Sequence, residues 1–194
     1  HSSSVLRARV AELRPLYRPA GPADRTQYRA GEIVQCDLWF PGQLVPDHGG
    51  LLRSFPVLVM VAAYSRFIAA VMIPSRVTGD LLAGMWLLLS HFLGGVPRSL
   101  LWDNEPGIGQ RGRLAEGVAG FCGVLGTRLI QARPYDPETK GLVERANGYL
   151  GTSFLPGRQF DSPADFNTQL GDWLTGVANP RRHATTGTLP VQVL

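Results

Sequence analysis

Three carboxylates in this chain stand where an acidic side chain needs a chemical reason. Asp37 falls in the middle of a strand-like run, 33–40 (IVQCDLWF), where an aspartate is disfavoured and costly to bury without compensation. Asp103 follows a short apolar strand, 99–102, directly. That is the carboxyl end, where open α/β sheets place their ligands. Glu144 lies in the run DPETKGLVERANGYL. Leu142, Val143, Ala146, Tyr149 and Leu150 form a buried helical stripe there. Lys140, Glu144, Asn147 and Gly151 form a second, polar face at steps of four, three and four. A pair of Mg²⁺ ions requires hard oxygen ligands held on rigid elements from several directions, and two strand aspartates with one helix glutamate meet that requirement. Each residue also has a plain reading. Asp103-Asn104 suits a strand-ending turn. Glu144 could pair with Lys140 or Arg145, though the i,i+4 pair with Lys140 is in the weaker orientation and worth only about 0.2–0.5 kcal/mol. Asp37 is the hardest to explain that way.

The elements that would position these residues are legible from periodicity. Alternation in 33–40 puts Val34, Cys36, Leu38 and Phe40 on one face and Ile33, Gln35, Asp37 and Trp39 on the other. The run 55–64 is apolar on both faces, as a central strand would be. It turns through Ser65-Arg66 into a third strand, 67–73. Thr78 is the expected cap of an apolar helix, 81–93, ended by Gly94-Gly95. Further expectations are a strand at 99–102, a helix at 113–125, a strand at 128–131 and helices at 138–152 and 163–177, the last capped by Ser162. The order β-β-β-α-β-α-β-α-α predicts an α/β fold, a mixed five-stranded sheet with helices on both faces.

Composition narrows the partners. The chain has 194 residues, 44% hydrophobic and 18% charged, with net charge +4. Lys140 is the sole lysine, so the positive charge is almost all arginine, whose planar fork matches phosphate geometry. Residues 5–30 interleave six arginines with three prolines, which predicts a short helix at about 5–14 and then an extended basic linker. Two cysteines, Cys36 and Cys122, read as reduced, buried thiols of a cytoplasmic protein. Four scattered histidines argue against a structural zinc site. The longest apolar run is too short to span a bilayer, and no signal peptide is expected. The opening His-Ser-Ser-Ser reads as a tag remnant. The expected organisation is 1–30 tag and linker, 31–155 core, and 156–194 a C-terminal helix and basic tail continuing the core. Trp39, Trp86, Trp102 and Trp173 are expected at core positions.

Taken together, GEIVQCDLWF, FPVLVMVAAYSRF, LLWDNEPG, ARPYDPETKGLVERANGYL and the ending NPRRHATTGTLPVQVL resemble the catalytic core of transposases and retroviral-type integrases, and most closely the IstA-type transposases of bacterial insertion sequences. The likeness covers about residues 26–194. Asp103 follows Asp37 by 66 positions and Glu144 follows Asp103 by 41. The second interval is slightly longer than is usual in retroviral-type integrases, and the excess falls in the glycine-rich loop 105–112 (EPGIGQRG), which lacks the familiar Asp-Asn-Gly.

The resemblance implies a ribonuclease-H-like fold with Asp37, Asp103 and Glu144 as catalytic metal ligands. They would hold two Mg²⁺ ions (Mn²⁺ substituting) about 3.5–4 Å apart. The implied reaction is cleavage of DNA 3′ ends of a mobile element and their joining to target DNA by in-line phosphoryl transfer. Lys140, Arg145, Asn147, Arg133, Arg181 and Arg182 are the expected DNA contacts. Asn104 is expected to orient Asp103 or its loop, and His183 to be structural or a DNA contact. The implied partners are DNA, a homodimer or higher assembly on paired ends, and an IstB-type ATPase helper, at the bacterial nucleoid in the cytoplasm and with no membrane. A nuclease of the same fold without strand transfer, or a non-catalytic DNA-binding or assembly module, are the alternatives.

Overall fold

The computed structural model describes residues 3–17, 27–132 and 137–194. In chain order the elements are α1 (Ser3–Tyr17), β1 (Ile33–Trp39), β2 (Val45–Pro46), β3 (Leu52–Arg53), β4 (Val57–Ala62), β5 (Ile68–Met72), α2 (Thr78–Leu87), β6 (Ser99–Trp102), β7 (Gly109–Gln110), β8 (Arg113–Leu114), α3 (Val118–Leu125), β9 (Arg128–Gln131), α4 (Pro137–Tyr149) and α5 (Pro163–Trp173). A π-helical turn extends α2, α4 and α5 at Leu88–Phe92, Leu150–Phe154 and Leu174–Ala178.

The main sheet has the order β5-β4-β1-β6-β9. β1, β4 and β5 pair antiparallel, whereas β6 and β9 run parallel to β1. This is the mixed five-stranded sheet expected from the sequence. Alternation along β1 and β4 divides the core in two. On one face Val34, Cys36, Leu58 and Met60 meet Leu81 and Met85 of α2 and Val118 and Cys122 of α3. On the other, Val57, Val59 and Val61 meet Val143, Ala146 and Leu150 on α4 and its extension, with Phe166, Leu170 and Trp173 of α5 beyond them. Full burial of each such side chain contributes about 1.5–3 kcal/mol, so α4 is firmly docked against the sheet. Cys36 and Cys122 are both buried.

β5 is an edge strand, and two asparagines close part of its open side. The Asn179 amide accepts from the Ile68 N–H and donates to the Ile68 carbonyl, both at 2.9 Å. Asn167 does the same at Met72, at 2.7 and 3.0 Å. Each amide stands in for a strand residue, satisfying backbone groups that would otherwise template pairing with another chain. Asn179 is almost fully buried. Asn179→Ala is therefore expected to lower unfolding free energy by about 2–4 kcal/mol, because it orphans both Ile68 groups. A denaturant melt checks this, and a midpoint equal to that of the parent would refute it.

Several expectations change. The first helix runs through Pro15 to Tyr17 instead of ending near 14, and residues 18–26 of the expected linker lie outside the described residues. Thr78 is not the cap of α2. Val77 holds that position with no side-chain cap, and Ser75 Oγ serves the turn by accepting from Val77 N–H and donating to Asp80. The expected helix 113–125 starts only at Val118. Residues 109–114 form a β-ribbon turned by Arg111 (φ 52°) and Gly112 (φ 77°), the two positive dihedrals a type I′ hairpin needs. β1 ends at Trp39, leaving Phe40 exposed under the Arg76 guanidinium. Trp102 and Trp173 are core residues and Trp39 is half-buried, but Trp86 is 52% exposed on the outer side of α2. The Ser162 cap of α5 is as expected, its Oγ accepting from Asp165 N–H at 3.1 Å.

Candidate active site

Parallel pairing of β1 with β6 sets the geometry of the two aspartates. The register joins Ile33 to Ser99, Val34 to Leu100 and Gln35 to Leu101, an offset of 66 that is also the offset of Asp37 from Asp103. Continued two steps beyond the last paired residues, the same register would set Asp37 opposite Asp103. Asp37 lies within β1 and still pairs with Val59 of β4, while Asp103 is the first residue past β6. Adjacent strands thus deliver both aspartates to one edge of the sheet, the carboxyl ends of β1 and β6. Asp37 is half-buried and Asp103 exposed.

α4 is fastened to this edge by polar contacts from β1. Gln35 is fully buried, and its Oε1 accepts from the N–H groups of Leu142 and Val143 at 3.1 Å each. Two residues further along the same strand face, Asp37 Oδ2 accepts from Asn147 Nδ2 at 3.0 Å. Asn147 Oδ1 is also buried and has no hydrogen-bond partner. An orphaned amide oxygen beside a carboxylate is a site awaiting a donor or a cation. Glu144 precedes Asn147 by three positions, close to one helical turn, and is exposed. Among the described residues it makes no ion pair, so the pairing with Arg145 considered from sequence is not formed.

The segment after Asp103 is built, not slack. Asp103 Oδ1 accepts from the Asn104 N–H at 2.8 Å, and the Asp103 carbonyl accepts from Glu105 N–H at 2.8 Å. Glu105 then takes a two-pronged ion pair from Arg76, at 2.7 and 3.2 Å, and Ile108 is fully buried. Gly107 lies against the Arg76 backbone, where any Cβ would overlap the Arg76 carbonyl oxygen and a Leu81 methyl. Gly107→Ala should cost about 1–3 kcal/mol through overpacking and shift the chain that follows Asp103. A thermal melt with amide NMR shifts at 103–105 checks this; an unchanged melt and spectrum would count against it.

Asp37, Asp103 and Asn147 are thus placed at one edge, with Glu144 on the helix fastened there. The carboxylates do not yet form a closed ligand cluster: among the described residues no group of three or more His, Cys, Asp or Glu side chains is close enough to hold a metal ion. The donor set itself, carboxylates with an orphaned amide oxygen, has the hard-oxygen chemistry that Mg²⁺ or Mn²⁺ takes. Lys140 lies on α4, but its side chain falls outside what is described, as does the whole of Arg133.

The remaining expected contacts gather elsewhere. Arg145, Arg181 and His183 line a cavity on the flank of α4. Arg182 is exposed and donates to the Gly187 carbonyl at 2.8 Å. His183 closes the same turn through backbone bonds to Gly187 and Thr188. Burial, followed by the charges of Arg181, Arg66 and Arg145, holds the His183 imidazole below its ordinary pKa.

Gln35 and Arg66 are the residues that sequence reasoning did not single out. A polar side chain in mid-strand, on the face of Asp37, was the available signal for Gln35. Arg66 looked like ordinary turn punctuation, and only its surroundings distinguish it.

Comparison with known proteins agrees with this architecture. Residues 27–137 match the integrase core domain family. A Geobacillus stearothermophilus protein assigned as the transposase of insertion sequence element IS5376 is 32% identical over 168 residues, which cover 82% of this chain and 40% of that protein. A Bacteroides fragilis transposase of an IS21-like insertion sequence element is 25% identical over 170 residues, 82% of this chain and 31% of that protein. The chain therefore spans well under half the length of these relatives. Among solved structures, the catalytic core domain of HTLV-2 integrase in complex with magnesium superposes with TM-score 0.63 at 16% identity, covering 87% of this chain and 99% of that one.

Proposed function

Because the chain belongs to the integrase core domain family, whose ribonuclease-H-like α/β fold it has, we propose that it is the catalytic core of an insertion-sequence transposase, cutting the 3′ ends of a mobile element and joining them to target DNA. The observation that supports this reading is the parallel pairing of β1 with β6, whose offset of 66 is also that of Asp103 from Asp37, with α4 tied to Asp37 through Asn147. Asp37, Asp103 and Glu144 are the three carboxylates of the site. They would hold two Mg²⁺ ions, or Mn²⁺ in their place, which supply Lewis-acid stabilisation of charge on the phosphoryl oxygens.

The chain's own residues do the positioning. Asn147 fixes the orientation of the Asp37 carboxylate, and Gln35 keeps α4 at the distance that makes this bond possible. Glu144 sits on the exposed side of that docked helix and would complete the set. Asn104 and the Arg76–Glu105 pair fix the chain around Asp103. Lys140, Arg145, Arg133, Arg181 and Arg182 contact the phosphate backbone. First water and then the freed 3′-hydroxyl attacks in line, so catalysis is positioning and charge neutralisation with no covalent enzyme intermediate. The reading entails more than one copy on paired DNA ends, an IstB-type ATPase helper and action on cytoplasmic DNA. Among the described residues no helix is long and apolar enough to cross a membrane.

The test is a joining assay with labelled element ends and a supercoiled target, using a polypeptide that contains this chain. Covalent transfer of the label to the target supports the proposal. Cleavage without transfer replaces it with the nuclease reading, and binding without cleavage with the non-catalytic one.

A further inference from the structure

The cavity on the flank of α4 has about 260 Å³ of space, and the charged side chains among its described lining residues are all arginines. Arg66 enters from the β4–β5 turn, Arg145 and Tyr149 from α4, and Arg181 and His183 from the closing segment. Among the described residues no carboxylate lines it, and the three ion pairs found among them, Arg9–Glu12, Arg53–Asp47 and Arg76–Glu105, all lie elsewhere.

Arg66 carries the argument. Its Nε and Nη1 atoms are buried and have no hydrogen-bond partner, and it holds a left-handed backbone conformation, φ 68°. Its guanidinium lies 5.5 Å from the Tyr28 ring centroid, which supports the charge without satisfying its donors. Burial pushes the Arg66 pKa below its ordinary value; Tyr28 opposes that shift and Arg145 adds to it. A guanidinium with two orphaned buried donors, facing further arginines, is destabilising unless an anion completes it.

The other walls are arranged for the same ligand. Arg181 is exposed yet fixed, its Cζ 3.7 Å from the Tyr149 ring centroid, a cation–π contact that orients the fork. Arg forks bind phosphate oxygens through paired donors. The pocket is also separate from the acidic edge. Val61 of its wall pairs with Gln35, whereas Val59 pairs with Asp37, so the two sites differ by two residues along the strands, about 7 Å.

We propose that Arg66, Arg145 and Arg181 form a single site for one phosphodiester group of the DNA backbone, held apart from the acidic edge so that the strand reaches Asp37 and Asp103 in a fixed register. This rests on the reading of the chain as acting on DNA. It adds a residue, Arg66, and makes scattered backbone contacts into one built pocket.

The chain itself, a 20-base-pair duplex and inorganic phosphate suffice to test it. Arg66→Gln and Arg181→Gln are each expected to weaken duplex binding roughly 10- to 100-fold, the loss of charge-assisted hydrogen bonds, and to lower the slope of log affinity against log salt by about one. The double variant should lose less than the product of the two, because one group is held by both. Phosphate should move the His183 ring resonances in the parent but not in Arg66→Gln, and duplex should compete. Arg181 is exposed, so its variant keeps the fold if the turn of Arg66 does not tolerate change. Duplex binding equal to the parent in both variants overturns the proposal. So do phosphate shifts that duplex does not compete for, which mark a free-anion site, and a silent His183 ring with neutral variants, which marks a structural cluster. If duplex binding depends on both arginines but no metal-dependent cleavage occurs, the pocket stands and the catalytic reading falls.

Discussion

Asp37→Asn is expected to reduce Mg²⁺-dependent DNA cleavage by about 10²–10³-fold or to background, the scale of losing one preorganised charge-stabilising group, while duplex binding stays within a few-fold of the parent. The substitution is nearly isosteric, and the Asn147–Asp37 hydrogen bond can be re-formed by an amide oxygen at position 37. The fold therefore has no reason to fail, and what is lost is the negative charge. Asp103→Asn and Glu144→Gln should behave alike, each removing one hard anionic donor. The three variants separate catalysis from the non-catalytic reading, because an assembly module would be indifferent to them. Cleavage at parental rate in any one of them would remove that residue from the site.

The second large effect is expected at Asn147. Asn147→Ala removes the group that holds Asp37 from α4, and orienting partners of this kind typically carry 10- to 100-fold in metal affinity or activity. The expected pattern is a fall in kcat with little change in KM for DNA, together with a raised Mg²⁺ requirement. Asn147→Asp restores an oxygen but not the N–H donor, and sets a second anion against Asp37, so it should not rescue. A rise in KM alone, at unchanged kcat and metal requirement, would instead make Asn147 a DNA contact, the role its place on the helix face suggested from sequence.

The contrast at Asn147 shows how far residue patterns reach. Periodicity located β1, β4 and β6, which are apolar or alternating runs, and the helix of Glu144 through its apolar stripe. It could also say that Asp37 and Gln35 share a face. It could not say that Gln35 reaches the backbone of α4 or that Asn147 reaches Asp37, since both are contacts between elements more than 100 residues apart in sequence. The ribbon at 109–114 was hidden for a different reason. The segment GQRGRL has no strand-length apolar pattern, and its shape comes from positive dihedrals at Arg111 and Gly112, the first of which no side-chain preference announces. Trp86 shows the limit of hydropathy. On an apolar helix every large side chain looks like core, and only the packing of α2 on the sheet decides which one faces outward. The pocket around Arg66 required the fold, because it joins a turn, a helix and the closing segment.

Asp37, Asp103 and Glu144 are expected to act together on a divalent cation. The most direct measurement is a crystal of the chain soaked in Mn²⁺ and recorded at the manganese edge. The expected result is an anomalous peak within about 2.0–2.3 Å of carboxylate oxygens of Asp37 and Asp103, with Glu144 turned towards it and the peak lost in the Asp37→Asn crystal. A peak coordinated by other residues, or none at that edge of the sheet at saturating Mn²⁺, would contradict it.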